Sequence, residues 1–293
     1  EPADLVNVVG DASTGMFVGY GQNLRNWNNG GGFYMEEGDL AGVGHGDLKD
    51  IFLKVDTAAI PAGTIVVGAE LAVWYLYMRD VAPGGTAPQP HTLYARATLK
   101  EWNEGTVLSD AFGWGYQNGG PSNPGGVTFN SARHGQLLWE IPNAYGDSDV
   151  APPTAQATTM FDPTVYFAWV RFNVTDLVQA CADGGTTLAL KITQNGTYAP
   201  PNPNFDYVPG LYGFATSQYG ELTKHPKLVV RTLQAPANVA AQAQGHGYAV
   251  KVTWTNVGAA YDSIAILRNG ATIASGLSAA AESRSEERRV GKE

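Results

Sequence analysis

The sequence predicts an all-β protein: a large β-sandwich of jelly-roll type with one short helix, then a smaller, incomplete β-sandwich. Three observations predict it. Residues 49–77 keep a period of two on either side of a short hinge. Ile51, Leu53 and Val55 alternate with Phe52 and Lys54, and Leu71, Val73, Tyr75 and Tyr77 alternate with Ala72, Trp74 and Leu76. The composition, with 36 glycines, 17 prolines, 14 tyrosines and 7 tryptophans against 15% charged residues, suits turns and strands. Only one segment carries helix start and stop signals. Because both alternating sets of the second strand are apolar, that strand is expected mid-sheet, covered on both faces, with Trp74 in the core.

Taken in order, residues 5–9 and 16–19 read as short strands split by the turn-forming run GDASTG at 10–15. Residues 21–32 read as loop, 33–35 as a brief strand and 36–47 (EEGDLAGVGHGD) as an acidic, glycine-rich loop. Residues 83–90 form a proline-rich loop before a strand at 92–99. From 107 to 164 there is no long periodic segment, which points to a functional loop or one ordered by its aromatics. Residues 166–172 read as a strand. Asn173 then opens the helix at 174–182, with Leu177, Val178 and Cys181 inward and Asp183-Gly184-Gly185 as its stop. Strands follow at 186–193, 211–216 and 227–232, giving a first domain of residues 1–232. Residues 233–238 (LQAPAN) are a linker. Residues 239–281 offer four short strands, 239–244, 249–255, 263–268 and 272–274, with Asn269-Gly270 as a hairpin turn. Residues 282–293 crowd charge into a tail expected to be non-native or disordered, and the run SEERRVGKE resembles adapter-derived read-through.

The formal charge of −9 and pI near 5.0, with no basic stripe, argue against nucleic acid and anionic membranes as partners. No stretch reaches the roughly 18 apolar residues of a membrane span, so no membrane insertion is expected. The N-terminus leads at once into a strand and is expected to be a mature end left after signal-peptide removal. One cysteine, Cys181, excludes an internal disulfide framework.

No catalytic constellation is legible. The five histidines lack metal-ligand spacing, Cys181 sits on an apolar helix face, and the glycine-rich run 42–46 precedes no helix that would hold a phosphate. No cofactor is expected. Asp147-Ser148-Asp149 after Gly146 has the alternating hard oxygens that calcium prefers, making Asp147 and Asp149 candidate ligands of a structural calcium. Trp114, Tyr116, Gln117 and Asn118, and separately Trp27 among asparagines, pair aromatic faces with amides. That is the composition that stacks on a sugar ring and bonds its hydroxyls. Asn195 and Asn173 begin glycosylation triplets, and Asn195 is the better placed, in a loop.

Residues 51–56 (IFLKVD) with 60–63 (IPAG) resemble the DNRLRE family of secreted β-sandwich modules, which are related to carbohydrate-binding modules. Further phrases carry the resemblance: EWNEGT at 101–106, TFNSA at 128–132 with Trp139, FNVTDLVQA at 172–180 and PKLVV at 226–230. The resemblance implies that Trp102 anchors the core and Glu104 holds the next turn. The chain departs from the family pattern at Lys49 and Lys54, where arginine is commoner, and at Phe129, where tryptophan is usual. Residues 236–270 resemble the first half of a fibronectin type III domain, with Trp254 on its core strand and the later strands missing.

These readings lead to a non-enzymatic, secreted or cell-surface structural or adhesive module that partners copies of itself or other extracellular proteins in a filament or matrix. Residues 5–9 are its candidate donated strand. The alternative is a carbohydrate-binding module that targets an attached enzyme to polysaccharide.

Overall fold

A computed structural model describes residues 3–5, 8–16, 18–19, 22–23, 33–39, 48–57, 60–61, 64–79, 88–105, 125–194, 210–233, 237–244, 249–255, 264–268, 271–277 and 283–287. It is all-β with a single helix among the described residues. The strands of the larger unit are β1 (Ala3–Leu5), β2 (Val8–Met16), β3 (Val18–Gly19), β4 (Gln22–Asn23), β5 (Tyr34–Asp39), β6 (Leu48–Val55), β7 (Ile65–Arg79) and β8 (His91–Ala97). They continue with β9 (Ser131–Arg133), β10 (Leu137–Leu138), β11 (Gln156–Phe161), β12 (Ala168–Asn173), β13 (Leu188–Thr193), β14 (Gly210–Ala215) and β15 (Lys227–Leu233), with helix α1 (Thr175–Gly184) between β12 and β13.

Two antiparallel sheets form the sandwich. One runs β2-β6-β13-β8-β11. The other is built on β7, which carries β12 on one edge and, on the other, β15 along its first half and β14 along its second. β1 extends this sheet beyond β15 and β5 extends it beyond β14. The single pair Gly38–Lys49 joins β5 to β6 and makes the two sheets one hydrogen-bonded path. Ile51, Leu53 and Val55 of β6 and Leu71, Val73 and Tyr75 of β7 share one core cluster with Leu190, Ile192, Phe172 and Phe214. The alternation in residues 49–77 thus sets the inward face of both sheets. Helix α1 closes one end with Val178 and Ala182 buried. Asn173 Oδ1 accepts from the Thr175 N–H (3.2 Å) and hydroxyl (2.6 Å) at its start, and Gly185 stops it in the left-handed region at φ 61°.

A further layer lies on the outer face of β6. Phe52 stacks on Trp139 (5.6 Å between ring centres) and meets Trp102 edge-on (5.7 Å), and Val127, Ala132, Ala144 and Val150 complete this second core. The described part of the long region 107–164 is therefore ordered by its aromatics. It also contains β11, which alternation did not mark because Thr158, Thr159 and Met160 interrupt it.

Several expectations are corrected. The GDASTG run lies within β2, paired with β6 from Gly10–Lys54 to Gly15–Lys49, because an eight-residue neighbour outweighs local turn preference. Residues 36–39, expected as loop, extend β5 against β14. Gly213 of β14 is required there, since a Cβ would run into the Tyr77 ring, whose hydroxyl reaches Glu36 Oε1 (3.1 Å) beside the buried Lys49–Glu36 ion pair. Trp74 is not in the core. It sits half-buried on the outer face of β7, edge-on to Trp169 across the β7–β12 pair (5.1 Å), with Lys224 Nζ 3.6 Å above its ring. Within residues 5–9, the candidate donated strand, Leu5 pairs with Leu228 and Val8 with Val55 of the same chain.

The described residues of the C-terminal segment form five strands, β16 (Ala237–Gln244), β17 (Ala249–Thr255), β18 (Ile264–Arg268), β19 (Ala271–Leu277) and β20 (Ser283–Glu287). They form a three-stranded sheet, β16-β17-β20, and a hairpin, β18-β19. Trp254 is buried. The tail expected to be disordered is strand over residues 283–287, with Ser283 and Arg284 exposed. An open sheet edge needs only backbone groups from its partner, so β17 accepts an extended segment whatever its side chains.

Two predictions follow from this packing. Trp102 is fully buried and its indole N–H has no partner among the described residues, so its contribution is packing. Trp102→Ala is expected to lose about 3–5 kcal/mol in denaturant unfolding, and Trp102→Phe much less. His91 packs against Phe161 and Tyr212 (5.3 and 5.2 Å) with its Nε2 buried. Burial holds its imidazole below the ordinary value, against the opposing pull of the Gln89 carbonyl. The unfolded chain therefore takes up the proton first. The contribution is full above the unfolded value of about 6.5 and is lost as pH falls through the folded one. Stability profiles of wild type and His91→Phe should diverge over that acidic window, with the variant the flatter.

Candidate functional site

The chemistry-bearing cluster lies beneath the covering layer. Outward positions of β6 carry Asp50, Phe52 and Lys54, and outward positions of β13 carry Ala189 and Lys191. Lys191 pairs with Phe52 in register, which makes Asp50 its diagonal neighbour on the same face. Both side chains are at most 1% exposed and Lys191 Nζ lies 2.9 Å from Asp50 Oδ2.

Asn143, Ala144 and Tyr145 descend on this pair from above. Asn143 and Ala144 both hold positive φ, 64° and 55°. Asparagine tolerates the left-handed region, whereas alanine there costs roughly 1–2 kcal/mol, so packing holds this turn. The Asn143 amide Nδ2 donates to Asp50 Oδ2, and the Tyr145 hydroxyl donates to the same oxygen (3.1 Å). Lys191 Nζ donates to the Asn143 backbone carbonyl (2.6 Å) and lies 3.1 Å from the centre of the Tyr145 ring. Asp50 Oδ1 is buried with no partner among the described residues. Burial pushes the Lys191 ammonium down to about 8, opposed by Asp50 and reinforced by Arg96. Arg96 is the next cation along the face, opposite Lys191 on β8. Burial lowers its own value, and its Nε donates to the Ala151 carbonyl (3.0 Å).

Asp149, one of the two candidate calcium ligands, is fully buried and already bound by protein donors. Its carboxylate accepts the backbone N–H groups of Glu140 (2.9 Å), Ile141 (3.1 Å) and Gly146 (3.0 Å) and pairs with Lys100 Nζ (2.7 Å). Gly146 is obligatory, since a Cβ would sit 2.6 Å from Glu140 and 2.8 Å from Asp149. Asp147 is exposed beside it. Among the described residues no three His, Cys, Asp or Glu side chains converge as a metal site. Asp149 is thus the organiser of its loop.

Trp27, Trp114, Tyr116, Gln117, Asn118 and Asn195 lie outside the described residues. Asn173 is exposed, with its amide oxygen engaged by Thr175. Glu104 accepts from Gln218 Nε2 (2.8 Å). Burial raises the Cys181 thiol above its ordinary value, against a bond from Thr186, which disfavours the nucleophilic thiolate at neutral pH. Sequence reasoning did not single out Asp50, Lys191, Arg96 or Asn143. The signal available was a charge embedded in an apolar run, as in LALKIT and LKDIFLKV. Such a residue faces outward in an ordinary sheet, and only the covering layer makes it buried.

Asp149→Ala would strand three backbone N–H groups and remove the carboxylate partner of Lys100. The expected loss is about 3–5 kcal/mol in denaturant unfolding, while Asp147→Ala should change neither stability nor the response of the melting temperature to calcium. A calcium-dependent melting shift abolished by Asp147→Ala would show a cation in this loop. No family model and no curated protein matches this chain.

Proposed function

We propose that this protein is a non-enzymatic structural module of a secreted or cell-surface assembly, in which the sandwich is a rigid building unit. The observation that carries the reading is the use made of the buried ionisable groups. Asp50, Lys191 and Arg96 face the covering layer and Asp149 lies within it, and each is bound to atoms of residues 140–151. Catalytic groups need access to substrate, whereas these are sealed from it and spent on fixing one layer to another. The resemblance to secreted DNRLRE modules and the acidic, weakly charged composition fit the same setting.

The described aromatic pair on the outer face of β7 does not offer an open sugar platform, because Lys224 lies over Trp74 and Lys227 lies 4.4 Å from the Trp169 ring centre. The test is a glycan array together with binding to insoluble polysaccharide. A structural module should show no saturable, sugar-competed binding, and electron microscopy of the native material should show it within ordered assemblies. Saturable binding that disappears in a folded Trp114→Ala, Tyr116→Ala double variant would replace this reading with that of a carbohydrate-binding module.

A further inference from the structure

We propose that Lys191 and Asn143 are joined by an intramolecular isopeptide bond, formed within the folded chain with Asp50 as the catalytic acid–base. The trio has the required parts in one sealed place. The nucleophile is an amine that is 1% exposed, the electrophile is a carboxamide on a fully buried residue, and one carboxylate oxygen touches both nitrogens. Lys191 Nζ is 2.9 Å from Asp50 Oδ2, the Asn143 Nδ2 donates to that same oxygen, and Nζ also contacts the backbone carbonyl of residue 143 (2.6 Å). Such enforced proximity replaces the encounter of two reactants, and water that would hydrolyse or solvate them is excluded.

The step balances without an oxidant or a cofactor. The neutral Lys191 amine attacks Asn143 Cγ, forming the new C–N bond. Asp50 Oδ2 takes the proton that Nζ loses and delivers it to Nδ2, the Cγ–Nδ2 bond breaks, and ammonia leaves. Asp50 ends as it began. The lowered value of the Lys191 ammonium leaves about a tenth of the amines neutral at pH 7, enough for a reaction that happens once per molecule. The Tyr145 hydroxyl on Oδ2 fixes the carboxylate, and its ring under Nζ closes the remaining side. The left-handed backbone at Asn143 and Ala144 is the geometry that turns this amide down onto the sheet. The product replaces the Lys191 ammonium by a neutral amide beside the Asp50 carboxylate and ties β13 covalently to the covering layer.

Intact-mass measurement of the denatured wild-type chain is expected to fall short of the sequence mass by about 17 Da, one ammonia. A tryptic map should then show a missed cut after Lys191 and a branched peptide joining it to the segment that contains Asn143. Lys191→Met, Asn143→Ala and Asp50→Asn should each restore the full mass. Full mass in natively folded wild-type protein overturns the proposal, and this result needs no variant to fold. A deficit without the branched peptide, as from an asparagine cyclised on its own backbone, overturns it as well. A deficit of about 18 Da with the branch at Asp50 would make the aspartate the electrophile and remove Asn143 from the bond.

Discussion

A charged pair placed between two layers of protein constrains everything above it. Asp50 and Lys191 stand on the outer face of an ordinary antiparallel sheet, where water would normally meet them, yet they are at most 1% exposed. Desolvating two ions costs several kcal/mol each even after the protein relaxes, and their attraction offsets that only when further hydrogen bonds complete the geometry. Residues 143–145 supply those bonds, through the Asn143 amide and carbonyl and the Tyr145 hydroxyl, and the Ala151 carbonyl does the same for the neighbouring Arg96. Asp149 in turn holds the loop that carries them, through three backbone N–H groups. The covering layer and the charges beneath it are therefore one unit.

The apolar part of the same layer determines where that unit sits. Phe52 is the only side chain between Asp50 and Lys54 on the outer face of β6, and it is clasped by Trp102 and Trp139. A burial of this size is worth several kcal/mol and is non-directional, so it fixes the layer in place but not its register. The polar bonds around Asp50 are directional and set the register. The division of labour explains why an asparagine and an alanine are held in left-handed conformations in that turn.

What could be read from the sequence and what could not divide along physical lines. The inner faces of β6 and β7 and the helix after Asn173 are legible because their signals are local: a period of two, an asparagine whose side chain accepts from Thr175 at the helix start, and a glycine stop. The GDASTG segment misleads because its turn preference is local while its pairing with β6 is not. Trp74 misleads for a related reason. Alternating aromatics on both faces imply cover on both, but the cover over Trp74 is a lysine side chain and a neighbouring indole rather than a layer. Asp50, Lys191 and Asn143 are 141 positions apart at the extremes, from Asp50 to Lys191, and no spacing rule connects them. They meet only through the register of β6 with β13 and the descent of a loop.

The same distinction bears on which strands of this chain are free to pair outside it. A strand offered to a neighbour must first be free, and β1 and β2 are already paired, antiparallel, within their own chain. The described edge at β17 is likewise occupied by β20. Edge-to-edge strand exchange with these elements would have to break internal ladders before forming external ones, with little net gain in hydrogen bonds. Any association that leaves the fold intact would instead use side-chain surfaces. The outer face of β7 presents one, with two half-buried tryptophans and their lysines. On the opposite sheet the outer positions Asp50, Phe52 and Lys191 are already covered by residues of the same chain and offer no such surface.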